Sequence, residues 1–337
     1  MSKRVDFDKR LIKSDADRQD LSRKYKEVLR QNGRLERELA ASLELGRKIE
    51  IHPITAKRPS GGSEAVCVVL ASDWHFEERV RKAEVSGLNE FNLTIARQRV
   101  EAFFRNTSRL YTIFKKDVEI PTMILALLGD FISGNIHDEF LETCQLEPTQ
   151  AIIEVQTRIA SGIEFLLKAH PKLRLVIPCC VGNHSRFTQE QRHATEQGNS
   201  LEFLMYHHLA NHFKGEKRVE FIIAEGYHLY LDVYGRTLRF HHGHALRYQG
   251  GIGGLFVPAF RAIAQWNRGK RADLDLWGHF HQLRDGGSFL CNGSLIGYNA
   301  YALSAKCEFE KPKQVMFLMD RDRGRTFVAP VLMGDKP

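Results

Sequence analysis

The chain has 337 residues, long enough for one large domain or two ordinary ones, and its 43% hydrophobic residues are ample for a buried core. No apolar run approaches the ~18 residues of a membrane span, and the charged N-terminus lacks the short apolar stretch of a secretory signal, so a cytoplasmic chain with no membrane partner is expected. The formal charge of +8 is uneven: residues 1–60 hold 16 Lys and Arg against 10 Asp and Glu, leaving 33 against 31 for the rest.

Residues 9 to about 50 contain no proline and read as one helix. Leu21, Tyr25, Val28, Asn32, Leu35 and Leu39 alternate steps of four and three, with Tyr25, Asn32 and Leu39 at a positions and Leu21, Val28 and Leu35 at d. A single Asn at a is a device for fixing register and dimeric state, so the spacing predicts a homodimeric coiled coil. The other reading is a lone helix that lays its apolar stripe on the rest of the chain. Its basic balance suits a polyanionic partner such as nucleic acid, or a solvated helix face. The helix is taken as residues 1–52, a Pro- and Gly-containing linker as 53–63, and one further domain as 64–337.

The apolar run 65–71 reads as a buried strand that delivers Ser72-Asp73-Trp74-His75. An amphipathic helix is expected over 92–116. A second buried strand, Ile124 to Leu128, ends in Gly129-Asp130, followed by a loop that closes on His137. A helix over 149–169 and a strand over 173–181 lead to Gly182-Asn183-His184, with Arg186 just beyond. Residues 196–213 predict a helix whose neighbouring His193, His207, His208 and His212 read as packing residues. Strands follow over 219–224, 228–233 and 237–241, the last running into His241-His242-Gly243-His244 and Arg247. Gly250-Gly251-Ile252-Gly253-Gly254 can present backbone amides to an anion, or form a plain loop. Arg261, Arg268, Lys270 and Arg271 with Phe260 and Trp266 suit a nucleic-acid backbone or a solvated helix with Trp266 inside. The strand 273–277 ends in Gly278-His279-Phe280-His281, and strands over 314–320 and 325–331 are expected to close a second sheet. The six cysteines form no Cys-x-x-Cys pair and read as reduced structural residues.

An aspartate leaving a buried strand is costly unless it is paired or bound to a metal. Five apolar strands here end in Asp, Asn or His. The ordered set Asp-x-His, Gly-Asp, Gly-Asn-His, His-Gly and Gly-His-x-His, over about residues 64 to 335, resembles the calcineurin-like metallophosphoesterase superfamily. Within it the chain resembles phage and prophage metallophosphoesterases grouped with DNA-repair nucleases. The alternation of helix and strand argues an α/β fold, and the resemblance sharpens it to two facing mixed β-sheets flanked by helices, a four-layer α/β/β/α sandwich. It assigns Asp73, His75, Asp130 and His281 to one divalent metal and Asp130, Asn183, His242 and His279 to a second. Such mixed oxygen and imidazole donors favour Mn²⁺, with Fe, Zn or Mg as alternatives. Two ions make a shared water acidic enough to attack phosphorus in line, and the resemblance gives His184 the task of assisting the leaving group. Arg186, Arg247, His137 and His244 are weaker candidates for substrate contacts. Many members of the superfamily carry an acidic residue directly after that histidine, where Ser185 stands here. The implied activity is a metal-dependent phosphodiesterase, foremost a DNA nuclease; the alternatives are hydrolysis of a small nucleotide or phosphomonoester, and a non-catalytic scaffold.

Overall fold

The computed structural model describes residues 2–45, 63–247 and 254–334, and it separates into two units, Met1–Arg58 and Pro59–Pro337. Most of the expected linker, the last residues of the expected helix, and Gly250 to Gly253 of the glycine cluster lie outside the described residues.

The first unit is the helix α1, Ser2–Leu45. Ion pairs one turn apart, Lys24 with Asp20 at 2.8 Å and Arg34 with Glu38 at 2.7 Å, support it locally. The apolar seam residues Leu21, Tyr25, Val28, Leu35 and Leu39 are all more than half exposed. No helix among the described residues is long and apolar enough to cross a membrane.

The second unit runs β1 Glu64–Ala71, α2 Leu93–Phe114, β2 Glu119–Leu127, α3 Asp138–Thr143, α4 Pro148–Ala169, β3 Arg174–Cys179, α5 Leu201–His212, β4 Val219–Ile223, β5 Leu229–Val233, β6 Arg236–Phe240, α6 Phe256–Gly269, β7 Leu274–Trp277, β8 Arg284–Asp285, β9 Phe289–Cys291, α7 Ala300–Ser304, β10 Lys313–Asp320 and β11 Gly324–Leu332. Its strands form a six-stranded sheet, β11-β10-β1-β2-β3-β4, and a five-stranded sheet, β5-β6-β7-β9-β8. β1 to β4 are mutually parallel, as are β6, β7 and β9.

Alternation along the strands decides the layers. Val66, Val68 and Leu70 of β1 pack with Ile124, Ala126, Leu238, Phe240, Leu274 and Leu276 between the two sheets, while Cys67, Val69 and Ala71 face Phe103 of α2, Ile159 of α4 and Met205 of α5. On the outer face of the smaller sheet, Ala259 and Ile263 of α6 cover Trp277 and Phe289. The result is the expected four-layer α/β/β/α sandwich. Each fully buried large apolar side chain contributes about 1.5–3 kcal/mol, so these layers carry most of the fold's stability.

Two expectations are corrected. β10 and β11 extend the larger sheet rather than closing the smaller one, because β10 pairs antiparallel with β1. Burial along nearly all of β10, on both faces, requires a place inside a sheet covered on both sides. The smaller sheet is closed by β9 and β8 instead. The short helices α3 and α7, of 6 and 5 residues, were not legible, since a helical period needs a longer window to show.

Candidate metal centre

The C-terminal ends of β1, β2 and β3 in one sheet and of β6 and β7 in the other converge, and each carries one of the five motifs. Open parallel sheets place ligands at such strand ends. The chain turns sharply there. Asp73, His75, Asp130, His279 and His281 all adopt left-handed backbone, with φ of 55°, 44°, 53°, 68° and 54°, a conformation that costs a non-glycine residue about 1–2 kcal/mol. Glycines allow the loops to meet. A Cβ on Gly182 would lie 2.1 Å from Asp130 Oδ1, and one on Gly278 2.2 Å from Asp73 Oδ2. Hydrogen bonds then lock the loops together: Trp74 N to Asp130 O at 2.8 Å, His184 N to Asp130 Oδ1 at 2.8 Å, and His279 N to Asp73 Oδ1 at 2.8 Å.

The side chains gather into sets with metal-ligand spacing. Asp73, His75 and His281 form one, Asp130, His242 and His279 a second, and His75, Asp130 and His184 a third, each with its ligand atoms within 4.8 Å of one another. His75 Nε2 lies 3.1 Å from His281 Nε2, and His242 Nε2 lies 2.8 Å from Asp130 Oδ2 and 3.3 Å from His279 Nδ1. Hydrogen bonds on the far side of the rings set the tautomers. Ser133 Oγ gives its proton to Glu78 Oε2 at 3.1 Å, so it accepts from His75 Nδ1 at 2.9 Å and leaves the Nε2 lone pair facing the site. His242 Nδ1 likewise donates to the Leu128 carbonyl at 2.7 Å. Asn183 Oδ1 and His281 Nδ1 are buried without a hydrogen-bond partner, and such orphaned atoms are rare unless something binds them.

The charges point the same way. Burial, with the repulsion of Asp130, pushes the Asp73 carboxyl up to about 7. Burial and neighbouring histidines hold His75 and His279 well below the ordinary histidine value, and burial holds His281 at about 4. For His242 burial opposes the charge, but the attraction and hydrogen bond of Asp130 override it and raise the ring to about 10. Without bound ions, His242 is thus the charge that answers Asp130, while His75, His279 and His281 are neutral. Carboxylate, amide and imidazole donors with free lone pairs fit a pair of divalent ions.

His184 stands at the edge of this cluster, with Nε2 3.9 Å from Asp130 Oδ2 and Nδ1 3.1 Å from the Ser133 carbonyl. Its ring is 4.8 Å from that of His75, and burial lowers its pKa. His137 lines the cavity beside it, the ring centres 6.3 Å apart. His244 is buried and meets Glu196 Oε1 at 2.9 Å, 5.5 Å between ring centres from His242. The Arg186 guanidinium donates to the carbonyls of Asn183, Thr188 and Gln189 and so braces the loop. Arg247 is exposed.

His241 turns away from the cluster and stacks on Trp277 at 5.2 Å, as strand alternation predicts. His193, His207, His208 and His212 lie exposed and outside the ligand sets; packing does not account for them either. Trp266 of α6 packs on the His228 ring at 4.6 Å and under Arg239.

Two buried acids went unread. Glu202 of α5 accepts from Phe131 N at 2.7 Å and Gly182 N at 2.8 Å, tying the Asp130 loop to the Asn183 loop. Glu78 orients His75 through Ser133. The Asp-x-His-x-x-Glu spacing of Asp73, His75 and Glu78 was visible, but which way Glu78 points was not.

No family model matches the chain, and no curated protein matches it. Similar solved structures include a predicted phosphoesterase of Streptococcus pneumoniae, at 10% identity and TM-score 0.30 over 80% of this chain and 98% of that one. Vps29 of Entamoeba histolytica, complexed with zinc, is similar at 13% identity and TM-score 0.30 over 80% and 99% of the two chains. Phosphopantetheinyl hydrolase of Mycobacterium tuberculosis follows at 12% identity and TM-score 0.28 over 68% and 90%. Likeness this loose leaves the chemistry to be read from the strand-end residues themselves.

Proposed function

We propose that this chain is a two-metal phosphoester hydrolase of the calcineurin-like metallophosphoesterase superfamily, acting on phosphodiesters, foremost in nucleic acid. The carrying observation is the pair of donor sets, Asp73, His75, His281 and Asp130, His242, His279, at converging strand ends, with the orphaned Asn183 Oδ1. Bound ions, Mn²⁺ foremost, supply a water acidic enough to attack phosphorus at neutral pH and a clamp on the phosphoryl oxygens.

The chain's own part is positional. Asp130 ties the two donor sets together: its carbonyl accepts from Trp74 N, between Asp73 and His75, and its Oδ1 accepts from His184 N. His184 keeps one proton on Nδ1 against the Ser133 carbonyl, which leaves Nε2 as the atom where a proton is taken up and passed to the departing oxygen. The basic balance of residues 1–60 supports a polyanionic substrate, and the exposed seam of α1 supports a homodimer that presents two sites. On this reading residues 1–52 form the dimerising arm, 53–63 a linker and 64–337 the catalytic domain of a cytoplasmic enzyme. A second reading, a small nucleotide substrate, is favoured by the enclosed cavity beside the cluster.

The test is turnover with added Mn²⁺ of labelled DNA, RNA, a cyclic dinucleotide and an aryl diester, with Asp130→Ala alongside. Cleavage of polymers, lowered at least ~1,000-fold in the variant together with loss of bound metal, is the expected result. Turnover of the small esters alone would remove the nuclease reading, and no turnover with metal bound would leave a scaffold.

A further inference from the structure

Next to the ligand cluster lies a chamber of about 350 Å³, at the small end of the ~300–1,000 Å³ typical of ligand pockets. The cluster and His184 form one wall. Phe140 of α3, whose ring centre is 5.4 Å from that of His184, and Tyr301 of α7 also line the chamber. Tyr301 is 72% exposed, an apolar face that a flat ligand would cover. Three carboxylates, Glu78, Glu84 and Glu139, line the chamber against one full cation, Arg79.

One strip of chain holds both aromatic walls. Arg79 N donates to Thr143 O at 3.0 Å and Gln145 N to Glu77 O at 2.8 Å, fixing the end of α3. Asn299 caps α7 by accepting from Ala302 N at 3.0 Å and gives its amide to Glu78 Oε1 at 3.2 Å. The chamber is therefore formed before any ligand arrives, which lowers the ordering cost of binding.

Charge and shape select the occupant. Glu78 is held by Ser133 and Asn299 and Glu84 by Arg81, which leaves Glu139 as the carboxylate that opposes a second phosphate and accepts from ring N–H and amino groups, while the aromatic walls offer faces for stacking. The chamber also lies on the His184 side, where the departing oxygen takes its proton. We propose that it binds the leaving group of the substrate, and that this group is a single nucleoside with no further phosphate beyond it. This rests on the phosphoesterase reading above. Hydrolysis adds one water across the P–O bond, oxygen to phosphorus and one proton to the departing nucleoside alcohol. Dinucleoside phosphodiesters and the terminal linkage of a chain share this chemistry; linkages inside a polymer do not.

The test uses the full Mn²⁺-loaded chain with deoxyadenylyl-deoxyadenosine and its two analogues in which methyl replaces either nucleoside. Linear and closed circular single-stranded DNA are run in parallel, and deoxyadenosine alone is titrated by calorimetry. Replacing one particular nucleoside by methyl should lower kcat/KM about tenfold, the scale of one lost base stack, and Tyr301→Ala and Phe140→Ala should each erase most of that discrimination. Release of the end nucleoside should far outpace cutting of circles. The dinucleotide turned over with the linear chain untouched assigns the site to small substrates and supports the chamber equally. Circles cut as fast as ends, or methyl and nucleoside esters turned over alike, would overturn the proposal. Deoxyadenosine binding that weakens about tenfold in both variants, with no ester hydrolysed, would support the chamber and remove the phosphoesterase reading; hydrolysis without that binding would do the reverse.

Discussion

Ser133 is a small residue with a large task, since its hydroxyl relays the Glu78 carboxylate to His75 Nδ1 and so keeps the His75 Nε2 lone pair turned inward. Removing such a relay typically weakens metal binding 10- to 100-fold. Ser133→Ala and Glu78→Gln should each do so in a Mn²⁺ competition titration, while the far-ultraviolet circular dichroism stays that of the parent. An unchanged affinity in both would mean that ring packing alone orients His75. At this scale much of the cluster was legible. Gly-Asp and Gly-Asn-His named Asp130 and Asn183 because each closes an apolar strand, and Gly182 was already the residue that a close approach requires. The bracing role of Arg186 was not legible, because sequence position says nothing of where five N–H donors will turn, and three of its bonds go to nearby carbonyls.

Among elements, α5 braces two ligand loops through Glu202. Burial, with the repulsion of Asp130, raises its carboxyl from 4.5 to about 7 in the folded chain. A folded group that holds its proton more tightly than the unfolded one contributes stability below the unfolded value and loses it as pH climbs to the folded value. The Glu202 contribution to the stability of the metal-free chain should therefore fall between about pH 4.5 and 7, on the order of 1 kcal/mol per pH unit. Glu202→Gln should flatten that slope in urea melts taken across the range. α1 offers a separate test, because Leu21, Tyr25, Val28, Leu35 and Leu39 face solvent in the single chain. Val28→Glu with Leu35→Glu should turn a dimer into a monomer by light scattering, and a parent that is already monomeric would end the coiled-coil reading. The strands of the first sheet were readable as unbroken apolar runs, whereas α3 and α7 were too short to show a period and the place of β10 depended on partners distant in sequence.

For the whole molecule, the proposed ligands come from both sheets: Asp73, His75, Asp130 and Asn183 from the larger, His242, His279 and His281 from the smaller. Ions that bind only this assembled state stabilise it by mass action, about 2.7 kcal/mol at a free concentration 100 times Kd. Mn²⁺ should accordingly raise Tm in the parent, and Asp130→Ala should abolish the rise. The layer between the sheets, by contrast, is built of Val68, Leu70, Phe240, Leu276 and similar side chains, whose attraction is non-directional. Grease of that kind holds two plates together without setting where one lies along the other. A coordination sphere at their shared edge would act as a dowel, setting the alignment at the rim and not in the interior. Drift accumulated in the interior over evolution is then tolerated until it moves the dowel holes apart, at which point the chain still folds but no longer turns over substrate.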